Sequence, residues 1–140
     1  MNIKEYLESI LEREYALQSM KERLAFLKSM AEGGAAPRID DKPRGPKPIG
    51  SSLENFICKA IDLEREIIEK EEELEKEKHM IFLATRKMPS VEYGSIIIFR
   101  YLMGYSWKKV AECMEYSTGW VYQNRNRAME ELKSKLEVVA

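Results

Sequence analysis

Thr118, Tyr122, Gln123, Arg125 and Arg127 fall in one C-terminal stretch that offers hydroxyl, amide and guanidinium groups. Those types suit the edges of bases in a duplex groove. A glutamine amide pairs bidentately with adenine, and a threonine or tyrosine meets a thymine methyl or a phosphate. Arg125 and Arg127 supply charge for backbone contacts, as do Lys108 and Lys109 a little upstream. Between Tyr116 and Met129 the chain has two bases and no acid, although the full 140 residues carry a net charge of −1. The acidic excess lies in the middle, where Leu53 to His79 hold ten acids against five bases. Phosphate contacts dominate affinity for DNA, so a monomer with this few cations is expected to bind weakly.

Other chemistries find little support. His79 is the single histidine and sits inside a charged run, without a nucleophile or metal-ligand partner. Cys58 and Cys113 stand apart, with no CxxC pair, and are expected to be reduced packing residues on helices. There is no phosphate loop and no carboxylate pair outside charged helix faces, so no enzyme, metal or cofactor is expected. A membrane span needs about 20 apolar residues, and none is present. The N-terminus resembles neither a signal peptide nor a transit sequence. A cytoplasmic protein without a membrane role is expected.

Three helices must position the C-terminal residues. Residues 90–103 carry Val91, Ile96, Ile97, Ile98, Phe99 and Leu102 and close at Gly104. Ser106 is placed to cap Trp107–Met114, and Glu115-Tyr116 forms a turn. Ser117 then caps a final helix to about residue 138, with Val121, Ala128, Leu132 and Leu136 inward. A short helix, a tight turn and a longer helix fit the helix-turn-helix that lays its second helix in the major groove. Ala111 leaves room for the two helices to approach, and Val121 fills the space between them.

Upstream, Ile3, Tyr6, Ile10, Leu17, Met20, Leu24, Leu27 and Ala31 step alternately by three and four, a heptad seam that Arg13 interrupts. Phe56, Ala60, Leu63, Ile67, Leu74 and Ile81 repeat the pattern, with Lys70 and Glu77 interrupting. Two matching seams predict a helical hairpin within one chain or a coiled coil between chains. Between them, residues 32–50 hold Pro37, Pro43, Pro46, Pro48 and four glycines, the composition of a linker. Its Arg38, Lys42, Arg44 and Lys47 could touch phosphates, the alternative being a solvated loop without a role. Ser51 and Glu54 form a capping-box pattern. The expected division is therefore an N-terminal coiled-coil helix over 1–31, a linker over 32–50, a long amphipathic helix over 51–87 and a three-helix domain over 88–140. The fold class is all-α.

The C-terminal residues resemble region 4 of the sigma-70 family, over about 50 positions from Pro89 to Leu136. The resemblance rests on Tyr101-Leu102-Met103-Gly104-Tyr105-Ser106-Trp107, Val110-Ala111, Met114, Ser117, Val121, Arg127-Ala128-Met129 and Leu132. The whole layout is similar to small sigma-like regulators encoded by phages and prophages of Gram-positive bacteria. That resemblance implies recognition of a promoter element, late-gene activation and contact with RNA polymerase. It directs Thr118, Gly119, Tyr122 and Gln123 at base edges, with Asn126 and Arg127 toward the groove or its backbone. Three features depart from the family. Glu115 stands where glycine is common, Asn124 where an apolar residue often seals the last helix, and nothing resembles the promoter-melting region 2. The expected partners are double-stranded DNA and a second copy of the chain, joined through the N-terminal helices. Two other roles fit the same elements: a DNA-packaging subunit of the small-terminase kind, or a coiled-coil adaptor that binds polymerase without touching DNA.

Overall fold

The computed structural model describes residues 2–33 and 49–139. Among these residues the chain is all-α, with five helices and no strand: α1 (Ile3–Ala31), α2 (Ile49–Arg86), α3 (Val91–Ile97), α4 (Trp107–Met114) and α5 (Thr118–Val139). A π-wound segment, Ile98–Leu102, follows α3. Most of the expected linker, with Arg38, Lys42, Arg44 and Lys47, lies outside the described residues. Helix α2 opens at Ile49, so Ser51 is inside the first turn and not its cap. The first-turn amides have no intrahelical acceptor in any case, so the helix tolerates starting early. No helix among the described residues is long and apolar enough to cross a membrane.

Two compact units divide the chain. One comprises Met1–Glu14 with Glu73–Ala140, the other Tyr15–Glu72. In the second unit Leu17, Ala60 and Ile67 are buried, each a predicted seam residue. Lys21 Nζ lies 2.6 Å from a Glu71 carboxylate oxygen, and Lys28 Nζ lies 3.0 Å from one of Glu64. A step of seven residues forward on α1 thus matches seven backward on α2. The two helices run in opposite directions here, with paired charges beside the apolar seam.

In the first unit Leu7 and Ile10 of α1 are fully buried, as are Ile81 and Ala84 of α2. Leu7 lies off the predicted seam. Its burial shows that the first turns of α1 are covered over an arc wider than a two-position seam. Thr85, also buried, donates its hydroxyl to the Phe82 carbonyl at 2.6 Å, so its polar atom is satisfied. Opposite it, α3 presents Gly94: a Cβ there would sit 3.4 Å from the Thr85 carbonyl oxygen. The backbones are therefore close.

Ser90 caps α3 by accepting from the Tyr93 amide at 3.2 Å, and its own amide donates to a Glu131 carboxylate at 3.2 Å. Regular winding was expected through residue 103 but stops at Ile97. The Met103 amide reaches back to the Ile98 carbonyl at 2.9 Å, and the Tyr105 amide to that of Phe99 at 3.0 Å. Gly104, at φ 76°, follows the segment and turns the chain toward α4. Helix α5 packs on both α3 and α4. Val110, Ala111 and Val121 form a buried cluster beneath Phe99, Tyr105, Trp107, Met114 and Trp120.

Both cysteines depart from expectation. Cys58 and Cys113 are exposed, because each sits on its helix away from the apolar face. His79 is exposed, as read from the sequence.

Candidate nucleic-acid interface

Two serine caps fix where α4 and α5 begin. The Ser106 hydroxyl accepts from the Lys109 amide at 3.2 Å, and the Ser117 hydroxyl from the Trp120 amide at 3.1 Å. Between them the chain reverses at Glu115, which takes the left-handed conformation at φ 62°, ψ 35°. The Tyr116 amide donates to the Ala111 carbonyl at 3.1 Å, closing α4 as a glycine-type terminus does. Glutamate occupies that position with a strained backbone.

On α5 the candidate residues share one side. Thr118, Tyr122 and Asn126 recur every four residues, as do Gly119, Gln123 and Arg127, so each set stacks along the helix. All six are exposed. Val121, Ala128 and Leu132 on the opposite side are fully buried. The outer face of α5 is therefore open over about two turns, and its far side is anchored.

Arg125 is placed differently. Its guanidinium carbon lies 4.8 Å from the Tyr122 ring centroid and 5.3 Å from that of Trp107. Tyr122 and Trp107 approach at 6.2 Å. One aromatic and cationic cluster thereby joins the start of α4 to the middle of α5. Lys109 extends over the Tyr105 ring at 4.1 Å, and Lys108 is exposed.

No protein-family model, curated protein or solved structure matches this chain. Its own geometry therefore carries the functional reading.

Several residues of this region were not legible in advance. Arg100, on the π-wound segment, donates to the Tyr105 carbonyl at 2.9 Å and places its guanidinium carbon 4.9 Å from the Trp107 centroid. Nothing in the sequence forecasts the winding that puts it there. Tyr101, beside Trp107 in an edge-on contact at 6.1 Å, is buried, and burial pushes its phenol up to about 12, with Glu8 adding to the shift. Tyr116 stacks on Trp120 at 4.1 Å, a pair at the i, i+4 spacing that a helix-entry reading could have found. Among the described residues no group of three or more His, Cys, Asp or Glu is arranged to hold a metal.

Proposed function

We propose that the protein is a sequence-specific double-stranded DNA-binding transcription regulator that reads a promoter element through α5. Helices α4 and α5, with their turn at Glu115, act as the helix-turn-helix. The supporting observation is the open outer face of α5, where Thr118, Tyr122, Gln123, Asn126 and Arg127 are exposed above a buried Val121–Leu132 side. A groove-reading helix needs that combination: polar groups free to meet base edges, and a rigid support that holds them. The resemblance to region 4 of the sigma-70 family gives the same face the same task, as an activator of the phage or prophage type with RNA polymerase as partner.

In this reading α1 and α2 take the hairpin alternative, with Leu17, Ala60 and Ile67 buried within one chain in support. A dimer then requires another surface. Ile57, Ile61 and Ile68 lie exposed along α2, and we assign the contact with a second copy to that stripe. Dimerisation would place two copies of α5 on spaced half-sites and offset the small number of cations per chain.

The test is a binding titration on a promoter fragment selected from random sequence. Alanine at Gln123 or at Arg127 should cost roughly 1–3 kcal/mol of specific binding each. Normal binding by both variants would show that the groove face is misassigned. Binding of polymerase without DNA would favour the adaptor, and a ring of many subunits in light scattering the packaging role.

A further inference from the structure

Among the described residues some cations meet carboxylates and others meet aromatic rings. Along α1 and α2, Arg13, Lys21, Lys28 and Lys78 each meet a carboxylate, on Glu77, Glu71, Glu64 and Glu14 respectively. What sets the Trp107 region apart is that its cations lie over rings. Among the described residues none of Arg100, Lys108, Lys109 and Arg125 is within ion-pair distance of a carboxylate, and three of the four lie over aromatic rings. Two guanidinium groups share one indole, at 4.9 and 5.3 Å from its centroid, and so lie within about 10 Å of each other. Two positive charges over one ring raise the local potential for an anion.

Stacking on a ring engages the face of a guanidinium and leaves its edge, where the N–H donors are. Arg100 commits one terminal nitrogen to the Tyr105 carbonyl, which orients the planar group and keeps its remaining donors in a defined plane. Both side chains have therefore lost much of their rotamer freedom before any ligand arrives, which lowers the entropic cost of binding one. Planar donors of fixed orientation match the oxygens of a phosphate.

We propose that Arg100 and Arg125, stacked together on Trp107, form a seat for backbone phosphate of duplex DNA, with Lys108 and Lys109 at its edge. This rests on the reading of α5 as a groove-facing helix. It adds Arg100, outside the helix-turn-helix itself, as a ligand of the backbone. The seat carries no sequence information. It sets how deeply and at what angle α5 enters the groove.

The experiment measures affinity of the full chain for a fluorescein-labelled random-sequence duplex of about 20 base pairs, two turns of DNA, over a series of salt concentrations. Each phosphate contact contributes about 0.9 to the slope of log affinity against log salt. Arg100→Gln and Arg125→Gln should each flatten that slope by about one unit and weaken random and promoter duplexes by the same factor. Arg100→Lys keeps the charge but not the planar fork, so it should retain the slope while losing thermal stability. If Arg100→Gln folds with the wild-type slope, or if Arg100→Lys and Arg100→Gln weaken binding alike with slopes unchanged, Arg100 is a packing residue and the seat is refuted. Wild-type protein that shows no salt-dependent binding to either duplex would instead overturn the DNA-binding reading, and the seat with it.

Discussion

Arg13, which interrupts the apolar seam of α1, meets Glu77, one of two residues that interrupt the seam of α2. The Arg13 guanidinium pairs with the Glu77 carboxylate, and the Tyr6 hydroxyl donates to that carboxylate at 3.1 Å. Two positions that weaken their own helices' patterns thus satisfy each other. A polar pair within an apolar seam favours one register, because sliding by one turn would separate the two charges and set each against apolar neighbours. Both side chains keep partial contact with water, at 40% and 32% exposure, which screens the attraction.

Replacing Arg13 alone by alanine should therefore cost about 1 kcal/mol or less. Replacing both residues by leucine should leave stability equal to wild type or raise it, since two partly desolvated charges are exchanged for apolar contact. Urea midpoints of the full chain compare the three proteins. A double-leucine variant markedly less stable than the single alanine would show that the pair contributes more than register.

The same triad sets a pH dependence at both ends. The hydrogen bond from Arg13 holds the Glu77 carboxyl below the usual carboxylate range. Its contribution is present above that range and is lost as pH falls through the depressed folded value. Burial, reinforced by Glu77, pushes the Tyr6 phenol up to about 12, and Tyr101 is raised similarly. A phenol raised on folding stabilises fully below its ordinary value near 10 and loses that contribution as pH rises toward 12. Melting temperatures across pH should fall at both ends. Glu77→Gln should flatten the acid limb, and Tyr101→Phe the alkaline one.

Glu115 predicts the opposite sign from most substitutions. At φ 62° a glutamate side chain is strained where glycine is not. Glu115→Gly should stabilise the protein by up to about 1 kcal/mol, the relief being partly offset by the greater freedom of glycine in the unfolded chain. It should leave DNA affinity equal or slightly higher, since an acid near α5 is removed. A drop in melting temperature would mean that the carboxylate has a partner worth more than the strain.

The extent of this structure visible in the sequence follows from how local each cause is. Caps at Ser106 and Ser117, the bounds of α4 and the exposed side of α5 follow from short-range patterns, and the structure has them where the residues placed them. Heptad spacing predicted the burial of Ile10, Leu17, Ala60, Ile67, Leu74 and Ile81. Leu7 was missed because a seam model narrows the buried arc. The π winding at Ile98–Leu102 was missed because it depends on backbone geometry that no residue type announces. The partnership of Arg13 with Glu77 was hidden for a different reason: each break was visible alone, but pairing them requires the register of two helices 64 residues apart along the chain.

Asn124 shows a sequence anomaly becoming a contact. Its side-chain oxygen accepts from the Tyr93 hydroxyl at 2.8 Å, and its side-chain nitrogen donates to the Trp120 carbonyl at 2.8 Å. An amide replaces apolar sealing by tying α5 to α3. Asn124→Leu strands the Tyr93 hydroxyl and should cost about 1–2 kcal/mol. Adding Tyr93→Phe should recover most of that loss, because both partners are then apolar. Additive losses in the double-mutant cycle would show the two groups to be uncoupled.

The proposed dimer contact gives the most decisive physical test of assembly. Because the seam residues Leu17, Ala60 and Ile67 are already buried within one chain, the proposed second copy would have to use apolar surface that remains exposed. Ile61 and Ile68 are seven residues apart on α2, so they occupy the same heptad position. Ile61→Lys with Ile68→Lys should convert a dimer to a monomer in light scattering while helix content by circular dichroism stays constant. The monomer should lose affinity for a two-half-site duplex far more than for a single half-site. A wild-type monomer, or a double-lysine variant that still dimerises, would remove α2 as the joining surface and leave the groove face of α5 to bind alone.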